Sequence, residues 1–149
     1  MGVKMEREAR ENIMRLVETS RDAIVCSIDE EGYPNGKAMF RLRNDGLSTF
    51  WFSTNTSSIR IGQWLRNPKA AIYFLDAQDF HGLMLTGEMK IHMDEETKKA
   101  FWKQGDEMYY PLGPTDPDYS ILEFTAIKGN YYHGLKKHLF LAEEAKGWS

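Results

Sequence analysis

The chain has 149 residues, 42% of them apolar and 13% aromatic, which are the values of an ordinary globular domain long enough to bury its own core. Nineteen basic residues against 22 acidic ones leave a formal charge of −3, which argues against a general nucleic-acid binder, and the lone Cys26 excludes an intramolecular disulfide and a cysteine-built zinc site. No apolar run approaches the ~20 residues of a membrane span and the charged N-terminus lacks a signal-peptide core. The expectation is a cytoplasmic protein, away from the membrane, forming one domain over residues 1–149.

The first 20 residues read as a helix: Ala9, Ile13, Leu16 and Val17 recur at helical spacing, while Glu6, Arg7, Arg10, Glu11 and Arg15 are left to water. Then the period shortens. Ala23 to Ile28 is an apolar strand closed by Asp29-Glu30-Glu31-Gly32, and Asn35 to Arg43 alternates, with Lys37, Met39 and Arg41 on one face and Ala38, Phe40 and Leu42 on the other. Asn44-Asp45-Gly46 is a hairpin signal, and Leu47 to Phe52 is the returning strand. Thr56-Ser57-Ser58 offers caps to a helix whose apolar stripe is Ile59, Ile61, Trp64 and Leu65 and which stops at Asn67-Pro68. Ala70 to Leu75 and Leu83 to His92 form the next strand pair, with a bulge or bend at Gly87. Asp94 caps a short helix running to about Gln104, and the proline-rich stretch from Pro111 to Pro117 reads as an ordered loop. Tyr119 to Lys128 and Tyr131 to Phe140 close the chain as two strands around Gly129-Asn130. Many short strands with only two or three short helices predict a mainly β chain folded as an antiparallel barrel, and not a doubly wound parallel sheet.

No familiar catalytic signature is present. His81, His92, His133 and His138 are scattered, and His133 and His138, five apart on one expected strand, would point to opposite faces, so no metal site is expected. The informative segment is Thr54-Asn55-Thr56-Ser57-Ser58-Ile59-Arg60, where a strand runs into a helix start. Unpaired backbone N–H groups there favour an anion, hydroxyls add donors, Arg60 can reach back with a two-pronged guanidinium, and Lys37 and Arg41 on a neighbouring strand add positive charge. A plain helix cap by Ser57 or Ser58, with Arg60 in solvent, explains the same pattern. Phe50, Trp51, Phe52, Trp64, Tyr73 and Phe74 read first as core; beside an anion site, however, aromatic strands are also what a phosphate-bearing planar cofactor requires.

These residues carry a resemblance. Pro34-Asn35-Gly36-Lys37-Ala38-Met39, Phe50 to Asn55 followed by Ser58-Ile59-Arg60, Asn67-Pro68-Lys69-Ala70, and Tyr110-Pro111-Leu112-Gly113-Pro114 through Asp116-Pro117-Asp118 occur in the order of four motifs, with Tyr131-Tyr132 after them. Together they resemble the pyridoxamine 5′-phosphate oxidase-like, FMN-binding split-barrel family, in the branch named for general stress protein 26. The resemblance runs over roughly residues 6 to 135. It implies an antiparallel Greek-key split barrel, homodimeric, with FMN at the seam between subunits. Lys37, Ser58 and Arg60, with Arg41 and Ser57 beside them, would hold the phosphate. Met39, Phe40, Ser53 and Thr54 would line the isoalloxazine edge, largely through backbone groups, and Tyr132 would approach from the partner subunit.

The departures bear on chemistry. Gly82 stands where the family has a strand glutamine, Ile59-Arg60 where it has a basic pair, and Lys136-Lys137-His138 where true pyridoxamine phosphate oxidases carry an arginine grip for substrate phosphate. The expectation is an FMN-dependent oxidoreductase acting on some other small molecule, with no acid, base or nucleophile singled out. The competing readings are a non-catalytic carrier of flavin, deazaflavin or haem, and a ligand-free barrel serving protein interaction.

Overall fold

The computed structural model describes residues 5–148. Helix α1 (Arg7–Thr19) buries the stripe Ala9, Ile13, Leu16 and Val17 and ends at Ser20, whose backbone N–H donates to the Leu16 and Val17 carbonyls. Eight strands follow: β1 (Asp22–Ile28), β2 (Pro34–Phe40), β3 (Arg43–Asp45), β4 (Thr49–Asn55), β5 (Lys69–Asp76), β6 (His81–His92), β7 (Tyr119–His133) and β8 (Lys136–Leu141). They form one antiparallel sheet in the order β2-β1-β5-β6-β7-β4-β3. The far edge of β7 is shared, its first half pairing with β4 and its second with β8. The sheet curls around an apolar interior in which Val25, Phe52, Ile72, Phe74, Leu85 and Phe124 are fully enclosed. Helices α2 (Ile59–Arg66) and α3 (Glu95–Phe101) and a closing turn, α4 (Ala142–Ala145), complete the chain. This is the mainly β split barrel that the sequence predicts, with α4 added to the expected helices. Among the described residues no helix is long and apolar enough to cross a membrane.

Gly87 is the expected bulge: the β6–β7 register shifts between Thr86 and Gly87, and a Cβ there would lie 1.9 Å from the Thr125 carbonyl oxygen. Other expectations are corrected. The strand from Asn35 stops at Phe40, because the Arg41 N–H turns to the Arg21 carbonyl and the Leu42 N–H to that of Trp51, passing the chain from the β1 side to the β4 side. After the hairpin at Gly46 (φ 55°) Leu47 drops into the core, so β4 starts at Thr49. The third helix ends at Phe101, three residues before Gln104, where Trp102 goes extended.

The largest correction is at the C-terminus. Strand β7 runs straight through Gly129-Asn130, and the turn is at Gly134 (φ 60°). Gly129 is a packing glycine: it lies opposite Phe140 of β8, and a Cβ would be 2.3 Å from that ring. His133 and His138 consequently sit on two arms of a hairpin, opposite Lys136 and Tyr131, and share one face. The stripe of α2 is narrower than expected too. Ile59 and Leu65 are exposed, while Gln63 is buried beside Ile61 and Trp64, accepting the Ser27 hydroxyl at 2.5 Å.

Candidate functional site

The turn from β4 into α2 is built by its own polar groups. Ser58, with extended backbone, is the cap: its hydroxyl oxygen accepts the Arg60 N–H at 3.2 Å, and its carbonyl accepts the Ile61 N–H. The Asn55 carbonyl accepts the Ser58 N–H at 3.0 Å, and the Asn55 amide donates to the Ser57 hydroxyl at 3.0 Å. The remaining donors meet a distant segment. The Thr56 N–H reaches the Asp118 carbonyl at 2.7 Å, and the Ser57 N–H reaches the Asp118 carboxylate at 2.8 Å. The backbone donors expected to await an anion are thus largely taken, and the anion at Ser57 is the chain's own Asp118.

Arg60 is different. Its Nε is buried with no hydrogen-bond partner among the described residues, and burial lowers the pKa of its guanidinium from the ordinary arginine value. A buried, unpaired donor costs free energy that folding alone does not return. Arg60 precedes Gln63 and Trp64 by one turn, on the helix face that packs on the barrel. Lys37 lies on β2 opposite the enclosed Val25, hence on the same side of the sheet, exposed and without an ion pair among the described residues. Arg60, with its enclosed Nε, and the Ser58 hydroxyl, which donates to no other group among the described residues, stand at the start of α2, while Lys37 is a separate exposed cation on β2; all three are residue types suited to a phosphate.

A cleft of about 550 Å³ opens beside this turn. Phe40, Arg41, Ser53 and Asn55 line it from the barrel, and Lys103, Asp106, Tyr109, Tyr110 and Asp118 from the segment after α3. The Arg21 guanidinium lies 4.5 Å over the Phe40 ring. Arg41 donates from Nη1 to the Val17 carbonyl near the C-terminal end of α1, which makes it an anchored wall of the cleft. Met39 and Thr54 point into the core, so they can offer only backbone groups to the cleft.

The segment after α3 reads in sequence as an ordered proline-rich loop and as one of the four motifs of the resemblance, with no residue of it singled out for the site. Its structure explains the order. The Asp116 carboxylate, buried, accepts the Leu112 and Asp118 N–H groups at 3.2 and 2.9 Å. Buried Lys98 donates from Nζ to the Asp116 carbonyl at 2.8 Å, and the Tyr119 hydroxyl donates to the Lys98 carbonyl at 3.2 Å. Burial, with Asp118, Asp106 and Asp116 nearby, raises the pKa of the Tyr110 phenol, so it stays protonated at neutral pH.

Tyr132 is not brought to this cleft within one chain. It lies on the outer face of the sheet, opposite Gly82, with its hydroxyl accepting the Asn130 amide at 2.6 Å. The space a side chain would need at Gly82 is filled by Tyr73, whose hydroxyl would be 2.3 Å from a Cβ there.

Strand order, capped turn and cleft together define a split-barrel protein of the pyridoxamine 5′-phosphate oxidase class. The family model described as pyridoxamine 5′-phosphate oxidase matches residues 9–133, and the chain belongs to that family. It is similar to the crystal structure of a Clostridium acetobutylicum protein related to general stress protein 26 of B. subtilis, with 45% identity, a TM-score of 0.86 and coverage of 95% of this chain and 99% of that one. An FMN-binding, pyridoxamine 5′-phosphate oxidase-related protein of Nostoc punctiforme shares the fold at 12% identity, with a TM-score of 0.61 over 93% of this chain and 91% of that one. A haem-binding protein of Mycobacterium smegmatis does so at 13% identity, with a TM-score of 0.72 over 95% of this chain and 60% of that one. No protein of curated function matches the chain.

Proposed function

We propose that the protein is a dimeric FMN-binding flavoprotein that exchanges electrons with a small molecule other than pyridoxamine 5′-phosphate. The observation that carries this reading is the buried Arg60 Nε with no partner among the described residues, at a capped strand-to-helix turn beside a cleft with an aromatic wall. Arg60, Lys37 and the Ser58 hydroxyl would hold the FMN phosphate. The Phe40 and Ser53 side chains and the Met39 and Thr54 backbone would border the ring, and Arg41 would keep the wall in place through Val17. Bound FMN supplies the redox chemistry, which is why the cleft needs no nucleophile of its own. Tyr110 lines the cleft with its phenol protonated, so its hydroxyl would be a donor if it reaches a bound molecule.

Dimerisation belongs to the same reading. The outer face of the sheet presents Ile24, Ala38, Ala71, Met84, Ile127 and Leu139, and a groove of about 570 Å³ runs along it. A second copy is the commonest cover for such a face, and it would carry Tyr132 of the partner subunit towards the ring.

Incubation with excess FMN followed by gel filtration tests the cofactor. Flavin absorption co-eluting with the protein is expected, bleached by NAD(P)H and restored by oxygen or a dye if the protein is an oxidoreductase. A Soret band, a deazaflavin spectrum, or bound flavin that never turns over would support a carrier instead. A spectrum unchanged by FMN would remove the reading.

A further inference from the structure

We propose that Asp118 is the positioning residue of the phosphate-holding turn, coupling the segment after α3 to the start of α2. The inference rests on the reading of Arg60, Ser58 and Lys37 as phosphate ligands. Asp118 holds the turn twice: its carbonyl takes the Thr56 N–H at 2.7 Å and its carboxylate the Ser57 N–H at 2.8 Å. Those residues directly precede Ser58, two positions before Arg60, and the Thr56 and Ser120 hydroxyls close a third contact between the same two segments. Asp118 is itself held, through its own N–H on the Asp116 carboxylate, and the Asp116 carbonyl is held by the ammonium of buried Lys98. A chain of hydrogen bonds therefore leads from a buried lysine to the turn that presents Arg60. Asp118 also lines the cleft, so the segment that walls the ring site and the turn that holds the phosphate are one mechanical unit.

The carboxylate has a second consequence. A negative charge at Ser57 stands close to where a phosphate would sit, so its geometry helps binding while its charge opposes it. Asparagine separates the two effects, since it keeps an acceptor oxygen for the Ser57 N–H and removes the charge.

The test compares wild type, Asp118→Ala and Asp118→Asn in fluorescence titrations with FMN and with riboflavin, which lacks the phosphate. It adds amide hydrogen exchange at Thr56 and Ser57 in the ligand-free protein. The expected result for Asp118→Ala is an FMN affinity about tenfold weaker, with a clearly smaller loss for riboflavin and exchange at Ser57 accelerated. Asp118→Asn should restore slow exchange at Ser57 and bind FMN at least as tightly as wild type. Equal loss of FMN and riboflavin binding in Asp118→Ala would show a merely structural role and overturn the proposal, as would unchanged exchange at Ser57. If wild type binds neither flavin, the cofactor reading fails first. Exchange at Ser57 that quickens in Asp118→Ala and recovers in Asp118→Asn would even then support Asp118 as the latch of this turn.

Discussion

Replacing Arg60 by methionine separates a binding role from a structural one, because the two predict opposite signs for stability. Methionine keeps the unbranched stem that packs along α2 and removes the guanidinium. In the ligand-free protein the buried Nε has no partner, so its removal relieves a desolvation cost. For a fully enclosed donor that cost is about 1–3 kcal/mol; with Arg60 as a whole only partly buried, the lower end, about 1 kcal/mol, applies. For a chain of this length that is a rise in Tm of about 2–4 °C. FMN affinity should move the other way, since removing one partner of a desolvated charge pair costs about 2–5 kcal/mol, a loss of about 30-fold or more. Thermal unfolding without ligand gives the first quantity and flavin fluorescence titration the second, with riboflavin as the control that should not change. FMN affinity within about twofold of wild type would refute the phosphate role. A fall in both stability and affinity would make Arg60 a structural prop.

Four further outcomes are expected. Gly87→Ala places a methyl group against the Thr125 carbonyl, where backbone meets backbone and nothing flexible can yield, and should cost about 2 kcal/mol or more by urea unfolding; a loss under about 0.5 kcal/mol would remove the bulge from the account. Tyr119 is buried with its pKa raised from 10.0 to about 12, so the folded state keeps a proton that the unfolded state gives up. Stability should therefore fall as pH rises from 10 towards 12, by up to about 1 kcal/mol per pH unit, and Tyr119→Phe should flatten that fall in alkaline denaturation curves. Ile24→Lys puts a charge into the outer face and should reduce the sedimentation mass to that of the 17.3 kDa monomer and weaken FMN binding with it; wild type already sedimenting at that mass would refute the dimer. Pyridoxal 5′-phosphate formation by FMN-loaded protein should be negligible, at least about 10³-fold below an enzyme with a phosphate grip, because no arginine follows Arg66 and the C-terminal hairpin offers only exposed Lys136 and Lys137; turnover near about one per second, read as the trapped Schiff base, would refute this.

Local chemistry made part of this protein readable from its residues. The apolar strand from Ala23 to Ile28, the cap at Ser58, the cap at Asp94 and the bulge at Gly87 are properties of short segments, and the structure has each of them. What misled was glycine. Gly129 and Gly134 look alike in sequence, yet one accommodates the Phe140 ring inside a strand and the other makes the turn, and only the pairing of β7 with β8 distinguishes them. The same pairing moved His133 and His138 to a shared face.

The candidate site divides in the same way. The residue types proposed for an anion site, Ser58 and Arg60 at a strand running into a capped helix with Lys37 on a neighbouring strand, are legible in sequence beside the plain-cap reading, because capping and helix polarity act within one turn. Only tertiary structure decided which donors stay free, since Asp118, 61 positions from Ser57, fills the backbone donor that sequence leaves open, while no carboxylate among the described residues pairs with Arg60. It also decided that Arg41 is spent on a helix end and that Lys103, Asp106, Tyr109 and Tyr110 wall the cleft. Such contacts join segments far apart along the chain, and their geometry follows from how the sheet closes rather than from any local preference.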